Sequence, residues 1–286
     1  MRCITKYGLI ILLLLSIIGT SFYVVNNDNE ILYLATTTSV DNTGLLDLLI
    51  AKFQESNDMD IRVTAVGSGA AIDLGRKGEV DAILVHAPTQ ELELMNEGYG
   101  ESRTSLWYNY FIVIGPSSDP ANIHTETNVK QVFEKILIKG RLGEVNFYSR
   151  GDDSGTHIKE KTIWEGAGLE ITENDKLTWY KETGQGMSAT LTIANEDSAK
   201  AYVLTDLGTF AKIANSEIYF DLIKLFEQSD ELYNLYSYIV ISPEKYPDLN
   251  TEGANEFLDF LIQPSTLDLV RNFKEGEYAL FTPIEE

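Results

Sequence analysis

The stretch ILYLATTTSVDNTGLLDLLIAKF, residues 31–53, sets the frame for the whole chain. Ile31–Ala35 is a short apolar run of strand character that stops at the hydroxyl cluster Thr36-Thr37-Thr38-Ser39. Beyond the cluster Leu45, Leu46, Leu49, Ile50 and Phe53 recur at helical spacing, with Ser39, Asp41 and Asn42 available as caps. A strand, a hydroxyl-rich turn and a helix in this order form the repeating unit of an α/β protein.

The same unit recurs twice. Ile61–Val66 reads as a strand, ends at Gly67-Ser68-Gly69 and leads into a helix over 70–77. Val145–Ser149 reads as a strand and breaks at Arg150-Gly151-Asp152-Asp153-Ser154-Gly155-Thr156, before a helix from about His157 to Trp164. Further strands are predicted at Asp81–Val85, closed by His86-Ala87-Pro88, and at Ala201–Leu204. Helices are predicted over 129–138, 252–262 and 266–273. Strands separated by helices predict parallel sheets.

At roughly 100–200 residues per domain, 286 residues suggest two domains. No linker and no solenoid repeat separates them, so two lobes joined by extended crossover strands are expected. The two long β-rich stretches near 107–115 and 235–242 are the natural crossovers. The first lobe then comprises 30–114 plus 235–286, and the second 115–234. Such a layout leaves a ligand cleft between the lobes, where the carboxyl ends of strands meet. Trp107, Trp164 and Trp179 are read mainly as core.

Each of the three turns offers hydroxyls, backbone N–H groups and a helix N-terminus, which carries partial positive charge and unpaired donors. Arg150 adds a planar fork of donors suited to an oxyanion. Each turn also has a plainer reading. Thr and Ser before a helix cap it, Gly-Ser-Gly makes a tight turn, and Arg150 pairs with Asp152 or Asp153. Repetition at one topological position is what favours a shared tetrahedral anion.

The first 29 residues are set apart from the fold. Arg2 and Lys6 precede an 18-residue uncharged run over 8–25, the pattern of an export signal or an uncleaved membrane anchor. The rest of the chain is then extracytoplasmic, either anchored by 8–25 or periplasmic after cleavage. The single cysteine, Cys3, precedes the run, so no disulfide framework and no lipid attachment is expected. Hydrophobic residues are 44% and charged residues 23%, which fits a folded rather than a disordered chain. The formal charge is −22, and losing Arg2 and Lys6 takes it to −24. That balance argues against a nucleic-acid partner, which is held by excess Lys and Arg.

Other chemistries find little support. There is no G-x-x-x-x-G-K-[ST] loop and no G-x-S-x-G elbow. His86, His124 and His157 show no metal-ligand spacing, so no cation site and no cofactor is expected. A hydrolase using Ser154 and His157 is the enzymatic alternative, and the reading preferred is a binder rather than an enzyme.

The stretches ATTTSVDNTGLLDLL (35–49), VGSGAAIDLGRKGEVDAILVHAP (66–88), RGDDSGTH (150–157) and ETGQGMSATLTIANEDSAKAYVLTDLGTF (182–210) resemble the tungstate-binding proteins of tungstate ABC transporters. With YSYIVISPEKYPDLNTEGANEFLDFL (236–261), the resemblance spans most of the exported chain. It implies the two-lobed periplasmic-binding-protein-like (type II) fold with two crossover strands. It also implies delivery of tungstate, or molybdate, to a membrane permease. Carried over by position, it implies ligand contacts from Thr37, Thr38 and Ser39, from Ser68 with its flanking amides, and from Arg150, Ser154 and Thr156. The family's Gly-Met-Gly is Gly-Met-Ser here (186–188), and no contact is assigned to 184–190.

The third turn also resembles that of phosphate-binding proteins, which share Arg-x-Asp-x-Ser-Gly-Thr. Those proteins present an acidic acceptor after the strand that follows the Gly-Ser-Gly helix. Here that place is Val85-His86-Ala87-Pro88, without an acid. A fully ionised oxyanion is therefore favoured over phosphate, which keeps a proton near neutral pH. Sulfate or phosphate binding, and a membrane-anchored oxyanion sensor, are the alternatives to tungstate transport.

Overall fold

The structure is a computed structural model and describes residues 31–284 except 153, 217, 218 and 228. The expected export segment, residues 1–29, lies outside the described residues. Among those described, no helix is long and apolar enough to cross a membrane.

Strand β1 (Ile31–Thr37) organises one half of a ten-stranded sheet. It pairs in parallel with β2 (Asp60–Val66) and with β3 (Ala82–Val85). After β1 the chain enters α1 (Thr38–Asp41) and then α2 (Leu45–Gln54). Helix α2 carries the expected Leu45–Phe53 periodicity, and Gly44 at φ +80°, a conformation open to glycine but strained for other residues, sets it apart from the single turn α1. Helix α3 (Ser68–Lys77) follows β2 and α4 (Pro88–Asn96) follows β3, so all three strands lead into helices at the same edge.

Strand β4 (Gly100–Gly115) is 16 residues long and belongs to both halves. From Gly100 to Tyr110 it pairs with β9 (Tyr233–Ile241). From Phe111 onward it pairs with β7 (Ala201–Asp206) and β8 (Ile223–Phe226). In the second half β5 (Asn146–Ser149) pairs in parallel with β6 (Tyr180–Glu182) and with β7. The strand order is β2-β1-β3-β9-β4-β7-β5-β6, with β8 and β12 (Thr282–Pro283) attached to β4. A short hairpin of β10 (Lys274–Glu275) and β11 (Tyr278–Ala279) stands apart.

The sheet is mixed, which corrects the expectation of parallel sheets. The β3–β9, β9–β4 and β4–β7 pairings are antiparallel, because the two long strands run between the halves instead of returning through a helix. The remaining helices are α5 (Val129–Arg141), α6 (Gly155–Gly166), α7 (Glu173–Thr178), α8 (Met187–Asn195), α9 (Leu207–Ser216), α10 (Thr251–Leu261) and α11 (Pro264–Asn272).

The core explains why the halves hold their shape. One apolar cluster packs α2, α8, α9 and α10 on the sheet and joins both halves through Trp107, Tyr236, Leu280 and Phe281. A second fills the other face of the second half with Phe133, Phe147, Trp164, Trp179 and Tyr180. A third places α3 and α4 on Ile83, Val85, Ile239 and Ile241. All three tryptophans are core, each at most 3% exposed. Burying each such ring contributes roughly 1.5–3 kcal/mol or more.

Candidate functional site

The ends of β1, β2 and β3 from the first half face the end of β5 from the second. Thr36 anchors the first turn. Its hydroxyl is buried and donates to the Leu84 carbonyl at 2.9 Å, which ties β1 to β3. The following residues point elsewhere. Thr37, 2% exposed, places Oγ1 3.0 Å from Ser39 Oγ, while Thr38 is exposed. Ser39 Oγ lies 3.2 Å from His86 Nε2, in the turn after β3.

Ser68 opens α3. It is 6% exposed, and its hydroxyl is buried with no hydrogen-bond partner. A buried hydroxyl left unmatched costs roughly 1–3 kcal/mol, so its retention calls for a purpose. What it faces is the second half. A Cβ on Gly155 would lie 3.9 Å from Ser68 Oγ and 3.4 Å from His86 Cε1. The amino end of α6 therefore comes against the turns after β2 and β3.

The third turn starts at Arg150. Its Nη2 and Nε donate to Asp152 Oδ2 at 2.5 and 3.1 Å, so the ion-pair reading of Arg150 holds in this structure. Burial alone would lift the Asp152 carboxyl. Ser154, through hydroxyl and amide, and the Arg150 charge outweigh burial and hold it below the ordinary value. The Arg150 carbonyl is pinned from beyond β6 by the Gly184 N–H at 2.8 Å and the Thr183 hydroxyl at 3.3 Å. Gly151 takes φ +60°, and a side chain there would meet Glu182. Ser154 caps α6, its hydroxyl accepting the His157 N–H at 3.4 Å, and Thr156 is buried in the first turn. That cap engages the backbone of His157 rather than its ring.

Beneath this turn Glu160 of α6 is 2% exposed. It accepts from the Tyr180 hydroxyl at 2.6 Å and Trp164 Nε1 at 3.1 Å, and the Ser149 hydroxyl also acts on it. Burial outweighs these donors and pushes its carboxyl up to about 7.

The halves also meet beside the first turn. Lys212 of α9 donates to the Asn42 carbonyl at 2.8 Å, and a Cβ on Gly208 would strike Thr43. Asp206 caps α9 by accepting from the Thr209 N–H and hydroxyl, each at 2.8 Å.

A match to the model of a PBP superfamily domain covers residues 25–265. The TupA tungstate-binding protein of Campylobacter jejuni is 38% identical over 244 residues, which is 85% of this chain and 87% of that protein. The TupA tungstate-binding protein of Peptoclostridium acidaminophilum is 35% identical over 254 residues, covering 87% and 84%. The solved tungstate-binding protein TupA of Desulfovibrio alaskensis G20 superposes with a TM-score of 0.79 at 39% identity, over 90% of this chain and 100% of that one. The chain belongs to the TupA family. Its fold is accordingly the α/β periplasmic-binding-protein architecture expected from the sequence.

For a TupA-family chain, three parts of this neighbourhood were not legible beforehand. His86 lies between Ser39 and Gly155, although a single histidine before Ala-Pro carries no ligand spacing. Lys159 brings a cation besides Arg150. Its ammonium sits over the Phe111 ring, donates to the Glu231 carbonyl and acts on His86, and burial lowers its pKa. A fourth strand–turn–helix, β6 to α8 through Thr183–Gly186, stands beside Arg150. Its repetition of the same polar-turn pattern was the available signal.

Proposed function

We propose that this chain is an extracytoplasmic solute-binding protein that captures tungstate, with molybdate as a second ligand, and hands it to an ABC permease. The observation that carries the reading is the buried, unpartnered Ser68 hydroxyl, facing Gly155 of the other half. A donor kept without a partner where two halves of a sheet meet suits an oxyanion taken between them. The names of the TupA relatives support tungstate as that anion.

In this reading the dianion docks on Thr37, Thr38, Ser39 and Ser68 from one lobe and on Arg150, Ser154 and Thr156 from the other. The lobes are 30–114 plus 235–286, and 115–234. They close about β4 and β9, expel water, and so strengthen each hydrogen bond. Arg150 exchanges Asp152 for the ligand, or holds both. Ligands are bound and released unchanged, so no catalytic residue is assigned. The amino-terminal segment keeps the protein at the membrane or directs its export.

Calorimetric titration with tungstate, molybdate, sulfate and phosphate tests this reading. Tight binding of tungstate and molybdate, with sulfate and phosphate weak, is the expected result. Failure of all four to bind would sink it.

A further inference from the structure

The turn after β3 is pinned to the crossover strands from two sides. The Ala87 N–H donates to Glu91 Oε1 at 2.6 Å, and buried Glu91 pairs with Arg103 of β4 at 2.7 Å. His86 Nδ1 lies 2.8 Å from Asn234 Oδ1 on β9. Asn234 stands directly opposite Asn109 of β4 in the ladder. Its amide hydrogens go to Asn109 Oδ1 at 2.8 Å and to the Tyr236 hydroxyl at 3.2 Å.

These partners fix a direction. With both amide hydrogens of Asn234 placed, its Oδ1 is the acceptor, so His86 Nδ1 carries the ring hydrogen and Nε2 is bare. Ser39 then donates inward to Nε2, and its oxygen accepts from Thr37. The chain runs Thr37 to Ser39 to His86 to Asn234 to Asn109. Two hydroxyls expected to hold a dianion thus spend their hydrogens within the chain, with the Tyr236 hydroxyl as a further partner of Ser39. A dianion requires the opposite.

We propose that His86 is the positioning residue that sets the direction of this chain, and that a hydrogen on Nε2 reverses it: Nε2–H donates to Ser39, Ser39 donates to Thr37, and the Thr37 hydrogen is released outward to a bound oxyanion. The proton comes from solvent and forms one N–H bond, leaving both ring nitrogens as donors. This rests on the oxyanion reading of the same cleft. The titratable groups facing His86 are Lys159 from α6, which opposes the proton, and the Tyr236 phenol from β9. From β4 it meets the Phe111 ring, from α1 the Ser39 hydroxyl, and from the start of α6 Gly155. Burial, with Lys159 adding to it, brings the imidazole down to about 4, which agrees with a bare Nε2 in this structure. A buried dianion beside it supplies the attraction that raises it again.

The test uses the full chain and tungstate as the probe. Calorimetry at about pH 7 in two buffers of unlike ionisation heat reads the protons exchanged on binding, and ¹⁵N NMR reads the state of Nε2. Expected are net proton uptake, affinity that rises by up to about tenfold per pH unit as pH falls from about 8 to about 6.5, and a bare Nε2 that gains its hydrogen with tungstate. His86→Gln, whose amide offers donor and acceptor without a proton, should lose both the uptake and the pH slope. Tungstate binding with no proton uptake, or uptake that survives in His86→Gln, would overturn the proposal. If that variant fails to fold, NMR of the native protein decides, and an Nε2 that stays bare in the complex overturns it. An absence of heat with every oxyanion overturns the oxyanion reading itself, and this proposal with it.

Discussion

In the proposed site Ser68 would supply a neutral donor and Arg150 a fixed charge. Ser68→Ala removes a hydroxyl that has no partner, so the variant should melt at the same temperature as the parent or slightly above it. Its tungstate affinity should nevertheless fall by about tenfold, the equivalent of one lost hydrogen bond of ~1.4 kcal/mol. Thermal melts and calorimetry on the same sample check both halves of that expectation. A stability loss with unchanged affinity would make Ser68 structural. Arg150→Ala should weaken binding by at least about tenfold, because a hydrogen bond to a charged group is worth roughly 1.5–3 kcal/mol. Unchanged affinity would leave Arg150 as the partner of Asp152 alone.

At the scale of elements, α6 carries both an amino end set against the turns after β2 and β3 and a buried acid one turn further on. Glu160 has an ordinary value near 4.5 and is pushed up to about 7 by burial. The folded protein therefore binds more protons than the unfolded chain between about pH 4.5 and about 7. Its contribution to stability is full below that window and declines as pH rises through it. His86, brought down by burial to about 4, works in the other direction and loses stability as pH falls from about 6.5. Melting midpoints of Glu160→Gln minus those of the parent should isolate the acid: the variant gains relative stability from pH 4.5 to about 7 and no more beyond. A flat difference would show that Glu160 does not titrate there.

The elements also show what a sequence can carry. Strands β1, β2 and β5 were legible because each apolar run stops abruptly at Gly, Ser, Thr or Arg, and those stops form the turns of the proposed site. The start of β4 was not, since Gly100–Ser105 is polar on both faces and resembles a loop until it is paired with β9. Helix α8 escaped notice because its buried face, Met187, Thr190, Leu191 and Ala194, includes a polar and a small side chain while apolar Ile193 is exposed, so the two faces contrast little. Asn109 and Asn234 lie 125 residues apart, and only the ladder between crossover strands brings them under His86. Contacts of that kind have no local signature.

For the whole molecule the governing quantity is charge. At −23 without its first 29 residues, the protein repels a dianion at long range, while the proposed site would work through local donors. Association of tungstate should therefore speed up with added salt as the repulsion is screened over a Debye length of about 10 Å at 0.1 M. Stopped-flow fluorescence can follow it if the tryptophan emission responds to binding. A rate that falls steeply with salt would mean that the acidic surface is not felt at the cleft.

Strand β4 has one more consequence, for the order in which the chain acquires its structure. The second half of the sheet draws on residues from Phe111 to Phe226 and is contiguous in sequence. The first half lacks its central partner until Tyr233–Ile241 has been made, more than a hundred residues after β3. A chain that folds from its amino end therefore completes the second half first and holds β1, β2 and β3 waiting. Closure of that long loop is the entropically slow step. Until β9 arrives, the β3 edge is unpaired, and this interval is when the nascent protein is most exposed to aggregation.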